Sequence, residues 1–545
     1  MRDWFGQRAR VSPASTALVD ARSGRSVTCD DLDERVETLA GRLAAEGVCV
    51  DHHVGLLAES GVDAVAAVHA TMRVGACLVP FSTRLTVPEL DPRVDRADLD
   101  LLLCDESTAE RAVDAAGDVP VRSLASVPTV DDGKGDDEER GEHEASGATD
   151  ERVAPLLAGT EPRPFDLPEW DFDDPLVLLY TSGTTGRPKL VVLTVQNVLA
   201  SATASAFRLG TLPGDRWASP LAPSSMGGLA PVYRTALSGG AVVLCPTDPE
   251  GLLAAMTDHD ATGVSVVPTM LRRLLDAGDL PASLRFVLVG GAATPPELVE
   301  RCVERDVPVC PTYGMTETAS QIATAAPGEA AGHPGSVGRP LMFTDVTVVD
   351  DHGDPLSAGQ AGELVVSGPT VTPGYYGDPE ATRAAFECHG LRTGDVGHRD
   401  EGGRLYVHNR KDERIVSGGQ NVDPGEVAAV LRELPGVSDA VVLGLPDDEW
   451  GERVAALVEP ESGSESETGS NLEPTDLDAA TVEAHCRARL AGYKLPRVVG
   501  FATIPRTESG TADRAAVREV LREGGEDDRR DGREDRDADD HDERA

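Results

Sequence analysis

The run Thr181-Ser182-Gly183-Thr184-Thr185-Gly186-Arg187-Pro188-Lys189 is the densest concentration of reactive chemistry in the chain. Glycines let backbone N–H groups turn inward and approach phosphate oxygens closely. The hydroxyls add donors, and Lys189 adds a point charge. The pattern is not a Walker A motif, which needs G-x-x-x-x-G-K-[ST] and a following helix. Here Pro188 precedes the lysine, and the apolar run Leu190-Val191-Val192-Leu193 follows it. With the apolar run Pro175 to Tyr180 before the loop, the residues predict strand, phosphate loop, strand.

The elements that must hold such a loop alternate in character. Leu32, Val36, Leu39 and Leu43 recur at helical spacing after Asp30 and Asp31. Val54 to Leu57 reads as a buried strand and Val62 to Met72 as a helix. Leu284 to Val289 reads as a strand running into Gly290-Gly291-Ala292-Ala293. A helix is then predicted with Thr294 as its N-cap, Pro295 in its first turn and Glu297 in the reciprocal capping position. This grammar predicts a large α/β N-terminal domain of layered sheets and helices over residues 1–411. The pattern restarts after Arg410, with helices at 424–434 and 481–490 and strands at 440–445, 454–458 and 498–504. A smaller α+β C-terminal domain over 412–523 is the expectation. Residues 130–152, 460–475 and the tail 524–545 are too charged and too poor in apolar side chains to offset ordering entropy, and read as disordered acidic segments.

Composition narrows the function. A net charge of −44 argues against nucleic acid as a partner, because phosphate backbones need basic surfaces. The lysines are only Lys134, Lys189, Lys411 and Lys494. Excess carboxylate with so little lysine suits a protein dissolved in molar salt, where self-repulsion is screened, so a halophilic host is expected. Nine scattered cysteines without a CxxC pair argue against a disulfide framework or a zinc site. No apolar run is long enough for a membrane span, and the first residues lack a signal-peptide layout. A cytoplasmic location is the expectation, with homodimer formation left open.

TSGTTGRPK resembles the phosphate loop of the acyl-adenylate-forming superfamily of acyl-CoA synthetases, peptide-synthetase adenylation domains and luciferases. Further motifs follow in the family's order: Tyr313-Gly314-Met315-Thr316-Glu317-Thr318, Gly362-Glu363-Leu364, Thr393-Gly394-Asp395, Asn409-Arg410-Lys411-Asp412 and Ser417-Gly418-Gly419. The resemblance covers nearly the whole chain outside the acidic segments. It implies that a small carboxylic acid is joined to AMP from ATP with Mg²⁺, and that the acyl group then passes to coenzyme A. Charge on the α-phosphate in flight must be met by cations and fixed donors. By resemblance, Lys189 and the loop residues meet the phosphates. Thr316 touches the α-phosphate and Glu317 helps bind Mg²⁺. Asp395 and Arg410 reach the ribose, while Gly290 to Ala293 and Tyr313 to Met315 flank the nucleotide. Asp412 falls at the hinge about which the family's C-terminal domain rotates, and Ser417, Gly418 and Gly419 line the coenzyme A tunnel.

Three positions depart from the family pattern. Its late loop PxxxSGK ends in a lysine, whereas Pro505-Arg506-Thr507-Glu508-Ser509-Gly510 here ends in Thr511. Arg506, Arg514 and Lys494 are candidate substitute cations. Val195 stands where many members have the histidine of Thr-His, and Ser225 stands for the histidine of the acyl-pocket motif. The stretch Tyr313 to Ile322 and the run MGGLAPVYRTALSGGAVV resemble the o-succinylbenzoate–CoA ligases of menaquinone synthesis. That acid carries a second carboxylate, which Arg234 could pair through its planar fork, unless Arg234 is an ordinary helix-surface arginine. Ser225, Gly228, Ser320 and Gln321 complete the candidate acyl site. Alternatives are a ligase for a medium-chain fatty or simple aromatic acid, and a non-catalytic protein that binds acyl-adenylate or ATP.

Overall fold

A computed structural model describes residues 3–124, 154–155, 160–181, 188–413, 415–417, 420–422, 424–447, 450–460, 477–507 and 511–522. Residues 182–187 of the phosphate loop, Gly418, Gly419 and nearly all of the three acidic segments lie outside the described residues. The chain forms two compact units, one of residues 1–346 and 366–391, the other of 347–365 and 392–545. No helix among the described residues is long and apolar enough to cross a membrane.

The first unit holds two large sheets. A nine-stranded sheet runs in the order Arg339–Pro340, Ser320–Thr324, Val309–Met315, Phe286–Val289, Gly263–Val266, Arg216–Ser219, Ala241–Leu244, Thr16–Asp20, Arg25–Thr28. Its middle is parallel and both ends are antiparallel. A seven-stranded sheet ends in Cys77–Pro80, Pro175–Thr181 and Lys189–Thr194, the last two antiparallel across the phosphate loop. The expected strand-loop-strand is therefore present. Parallel strands buried on both faces explain the near-continuous apolar runs in the sequence. Leu101–Cys104, Phe286–Val289 and Ala241–Leu244 are buried at every position.

Helix Cys29–Ala45 buries Leu32, Val36, Leu39 and Leu43, with Thr28 and Asp31 forming its capping box. The expected helix after Gly290 starts one residue later than predicted. Pro295, not Thr294, occupies the N-cap and Pro296 opens helix Pro296–Glu304. The reason is local: the residue before a proline is pushed out of the helical region, so Pro295 cannot begin the helix. Seven of the nine cysteines are buried, Cys49 and Cys388 being the exposed ones.

In the second unit, strand Gly390–Arg399 pairs with Leu405–Arg410, which sets Asp395 opposite Arg410. The C-terminal part builds a five-stranded sheet from Gln420–Val422, Ile415–Ser417, Gly451–Pro460, Val437–Asp447 and Val498–Phe501. Helices Pro424–Arg432 and Ala479–Arg487 bring Val427, Leu431 and Val482 into one core with Ile415, Val442 and Val458. Asp439 is held by both Arg432 and Arg506, at 2.8 and 2.5 Å. Burial alone would raise its carboxyl, but the two guanidiniums hold it below the ordinary value. Such a group stabilises the fold above its unfolded pKa, and that contribution disappears as pH falls through the lower folded value. Asp439→Asn should therefore cost about 2–3 kcal/mol at neutral pH. It should also flatten the acid limb of a melting-temperature curve recorded against pH, where an unaltered limb would count against this pair.

Candidate active site

Lys189 begins strand Lys189–Thr194, with its Cα opposite Thr181. Its ammonium stands over the ring of Tyr375 at 4.7 Å. The Tyr375 hydroxyl donates to Glu317 Oε1 at 3.1 Å. Glu317 itself is buried in the short turn Thr316–Thr318, which follows strand Val309–Met315. The structure thus brings together two residues 128 positions apart in sequence (317 − 189) through a third that the motif pattern does not single out.

The turn is held from several sides. Thr318 Oγ1 donates to the Met315 carbonyl at 3.1 Å, and Ser201 Oγ donates to the Ala319 carbonyl at 2.7 Å. Thr372 N donates to the Glu317 carbonyl at 2.8 Å. Ala319 and Ser320 take φ of 50° and 115°, a region that side chains rarely occupy. Strain of this kind persists only where the surroundings over-determine the backbone. A Cβ on Gly314 would stand 1.7 Å from the Ser320 carbonyl oxygen. No side chain can be accepted there, which accounts for the glycine between Tyr313 and Met315. Gly290 is similarly crowded, its Cβ falling 2.6 Å from Thr312 Cγ2.

Both stems of the phosphate loop rest on the end of helix Val87–Arg96. Tyr180 donates its hydroxyl to the Arg93 carbonyl at 2.6 Å, and Arg96 Nη1 donates to the Pro188 carbonyl at 2.9 Å. Arg96 also pairs with Asp378 at 3.1 Å. These braces lie far from the loop in sequence, and no local pattern marks them.

In the second unit, Asp395 N donates to Thr393 Oγ1 at 3.0 Å. Arg410 Nη2 donates to the Thr393 carbonyl at 3.2 Å, and its Nε lies 3.6 Å from Asp395 Oδ1. Glu363 is engaged by Arg392 Nε at 3.1 Å and Lys411 Nζ at 3.2 Å. Burial would raise the Glu363 carboxyl, yet these bonds keep it below the ordinary value. Asp395 and Arg410, predicted as a pair, stand on adjacent strands, with Arg410 on the carbonyl of the residue whose hydroxyl holds Asp395. Asp412 lies in the turn Lys411–Glu413, and Ser417 is buried at the end of strand Ile415–Ser417.

The acyl candidates divide. Gly228 lines a small surface cleft with Ala64, Val68, Ser219 and Val232. Its Cβ would lie 2.1 Å from the Ala222 carbonyl oxygen, so glycine is required for the helix to approach its own leading loop. Ser225 is exposed and turns its hydroxyl to the Ala222 carbonyl at 3.1 Å. Gln321 is buried, donating to Thr324 Oγ1 at 2.7 Å while its Oε1 has no partner among the described residues. Arg234 is not a helix-surface arginine. It is 5 % exposed, lies over the Trp217 ring at 5.5 Å, and has no partner at Nε or Nη2 among the described residues. Burial pushes its pKa down to about 9.

Of the candidate substitute cations, each is committed to a carboxylate: Arg506 to Asp439, Arg514 to Glu413 at 2.8 Å, and Lys494 to Glu426 at 2.5 Å. The Thr511 hydroxyl lies 2.6 Å from that of Thr507, within the late loop.

A profile described as AMP-binding enzyme matches residues 5–376, and one described as AMP-binding enzyme C-terminal domain matches 426–511. The chain belongs to the AMP-binding enzyme family. Among its AMP-binding relatives, the 2-succinylbenzoate–CoA ligase of Bacillus cereus (strain Q1) is 34% identical over 528 residues, 96% of this chain and 99% of that one. The o-succinylbenzoate CoA synthetase of Bacillus subtilis bound to its acyl-adenylate intermediate superposes with a TM-score of 0.81 at 30% identity, covering 95% of this chain and 98% of that one. The same synthetase with ATP and magnesium ion also gives 0.81 at 30%, covering 96% and 99%. In an AMP-binding enzyme with so few lysines, Lys189→Ala should lower the ATP–pyrophosphate exchange rate by about 10²–10³-fold, the usual effect of deleting one preorganised charge-stabilising donor. Exchange at the unmodified rate would remove Lys189 from the phosphate site.

Proposed function

We propose that this protein is an ATP-dependent acid–CoA ligase whose acid is o-succinylbenzoate. The carboxylate attacks the α-phosphate of ATP, forming acyl-AMP and releasing pyrophosphate. The thiol of coenzyme A then displaces AMP and yields the thioester. The observation that carries the choice of acid is Arg234, a buried guanidinium with two nitrogens lacking partners among the described residues. A buried cation without a counter-ion is costly, and a carboxylate brought by the substrate would supply the missing acceptors bidentately. The relatives at nearly full length support the same reading.

The residues suit the chemistry. Lys189 offers charge to the phosphates, and Thr316 lies beside them by family resemblance. A single buried carboxylate, Glu317, fits magnesium, which is commonly held by one or two carboxylates together with substrate phosphates. When bound, that ion would supply a Lewis acid at the phosphoryl oxygens. Asp395 and Arg410 form the proposed ribose site, Asp412 the hinge, and Ser417 with Gly418 and Gly419 the coenzyme A tunnel. The proposal includes a cytoplasmic location and a salt-accumulating host. At about 1 M salt the Debye length falls to about 3 Å, which screens the repulsion among an excess of carboxylates. Full stability and activity in dilute buffer would remove the salt part of the proposal.

Pyrophosphate release should be measured with Mg²⁺ and coenzyme A, in molar KCl, over a panel of acids. Release with o-succinylbenzoate is expected. Release only with a fatty or monocarboxylic aromatic acid would overturn the choice of substrate, and no release with any acid would favour a binding protein. Arg234→Met should raise KM for o-succinylbenzoate by about 10–100-fold with little change in KM for ATP, as losing a charged hydrogen-bonded partner predicts. Thr511→Lys should alter the adenylation rate and leave thioester formation from preformed adenylate unchanged.

A further inference from the structure

We infer that Tyr375 is a positioning residue for adenylation, setting both the Glu317 carboxylate and the Lys189 ammonium through two different parts of one side chain. The inference rests on the adenylating reaction proposed above. Its first ground is geometric. The ring face lies 4.7 Å from Lys189 Nζ, and the hydroxyl donates to Glu317 Oε1 at 3.1 Å. No described ion pair joins Lys189 to Glu317. A tyrosine can hold a cation on its π-face and an anion at its hydroxyl at the same time, a combination that phenylalanine or an aliphatic side chain cannot provide.

The second ground is how Tyr375 is held. It is 9 % exposed, and its backbone forms a bridge with Val191. Val192 N donates to the Gly374 carbonyl at 3.0 Å, and Tyr376 N donates to the Leu190 carbonyl at 2.7 Å. Tyr375 N donates to Thr382 Oγ1 at 2.9 Å. The segment therefore runs along the strand that Lys189 begins. Three residues before Tyr375, Thr372 N bonds the Glu317 carbonyl and Thr372 Oγ1 donates to the Val192 carbonyl at 2.5 Å. The phenol is thus registered by backbone pairing against both elements whose charged groups it meets.

The chemistry gives this arrangement a purpose. A direct Lys189–Glu317 ion pair would leave neither charge available to incoming nucleotide. A cation on an aromatic face is held weakly enough to move onto a phosphate. A carboxylate with one oxygen hydrogen-bonded to a phenol is held in one orientation.

Two substitutions separate the two roles. Tyr375→Phe keeps the ring and deletes the hydroxyl, whereas Tyr375→Leu deletes both. Calorimetric titration of ATP with and without Mg²⁺ is the first readout. Tyr375→Phe should weaken ATP binding about tenfold in Mg²⁺ and leave Mg²⁺-free binding unchanged. Tyr375→Leu should weaken both. The second readout is kinetic: ATP–pyrophosphate exchange should fall in both variants, and thioester formation from preformed o-succinylbenzoyl-AMP should stay within about twofold of the unmodified enzyme. Unchanged Mg²⁺-dependent binding in Tyr375→Phe would overturn the inference, as would an equal fall in both half-reactions. Should Tyr375→Leu fail to fold, Tyr375→Phe decides alone. Failure of the unmodified protein to bind ATP would instead sink the adenylating reading itself, so the two failures are distinguishable.

Discussion

In the adenylating reaction proposed for this chain, Lys189 and Glu317 bring opposite charges to one nucleotide without cancelling each other, and much of the first unit serves to hold the two residues in place. Lys189 is placed by the end of a strand, Glu317 by a short turn at the end of a strand in a different sheet. The segment from Thr372 to Tyr376 connects them by backbone hydrogen bonds to both. The strained residues Ala319 and Ser320, the forced glycine at 314 and the hydroxyl of Ser201 all keep the Glu317 turn in place. Rigidity matters because charge stabilisation works best when the charged groups need not reorganise as the reaction proceeds.

Carboxylates outnumber basic residues in this chain, and many of its cations are committed to structural contacts. Arg96 steadies the exit of the phosphate loop, Arg392 and Lys411 hold Glu363, and Arg432 and Arg506 share Asp439. Arg234 differs from these, being buried with Nε and Nη2 unsatisfied among the described residues. The contrast is informative, since a buried cation in an acid-rich protein could readily have been given a carboxylate of its own. The committed state of Arg506, Arg514 and Lys494 likewise bears on the late loop, where Thr511 occupies the family's lysine position and bonds within the loop instead.

Much of the architecture was legible beforehand because it rests on local patterns. Buried parallel strands produce apolar runs, and amphipathic helices produce spaced leucines and valines. The helix after Gly290 was misplaced by one residue because two consecutive prolines compete for its start, and the constraint on the residue before Pro296 won. The candidate acyl residues were less legible. Gly228 and Ser225 have local structural duties at Ala222, and Arg234 looked equally suited to a surface and to a pocket.

The amino-acid sequence alone determined the family, the fold class and the nucleotide chemistry. Each of these is written in short, contiguous motifs or in the periodicity of single elements. Only the tertiary structure decided that Tyr375 meets both Lys189 and Glu317, that Arg93 and Arg96 brace the phosphate loop, and that Arg234 is buried with Nε and Nη2 unpartnered among the described residues. The physical reason is common to all three. They depend on hydrogen bonds, ring contacts and burial between residues far apart in the chain, and no local spacing encodes where distant backbone segments will pair.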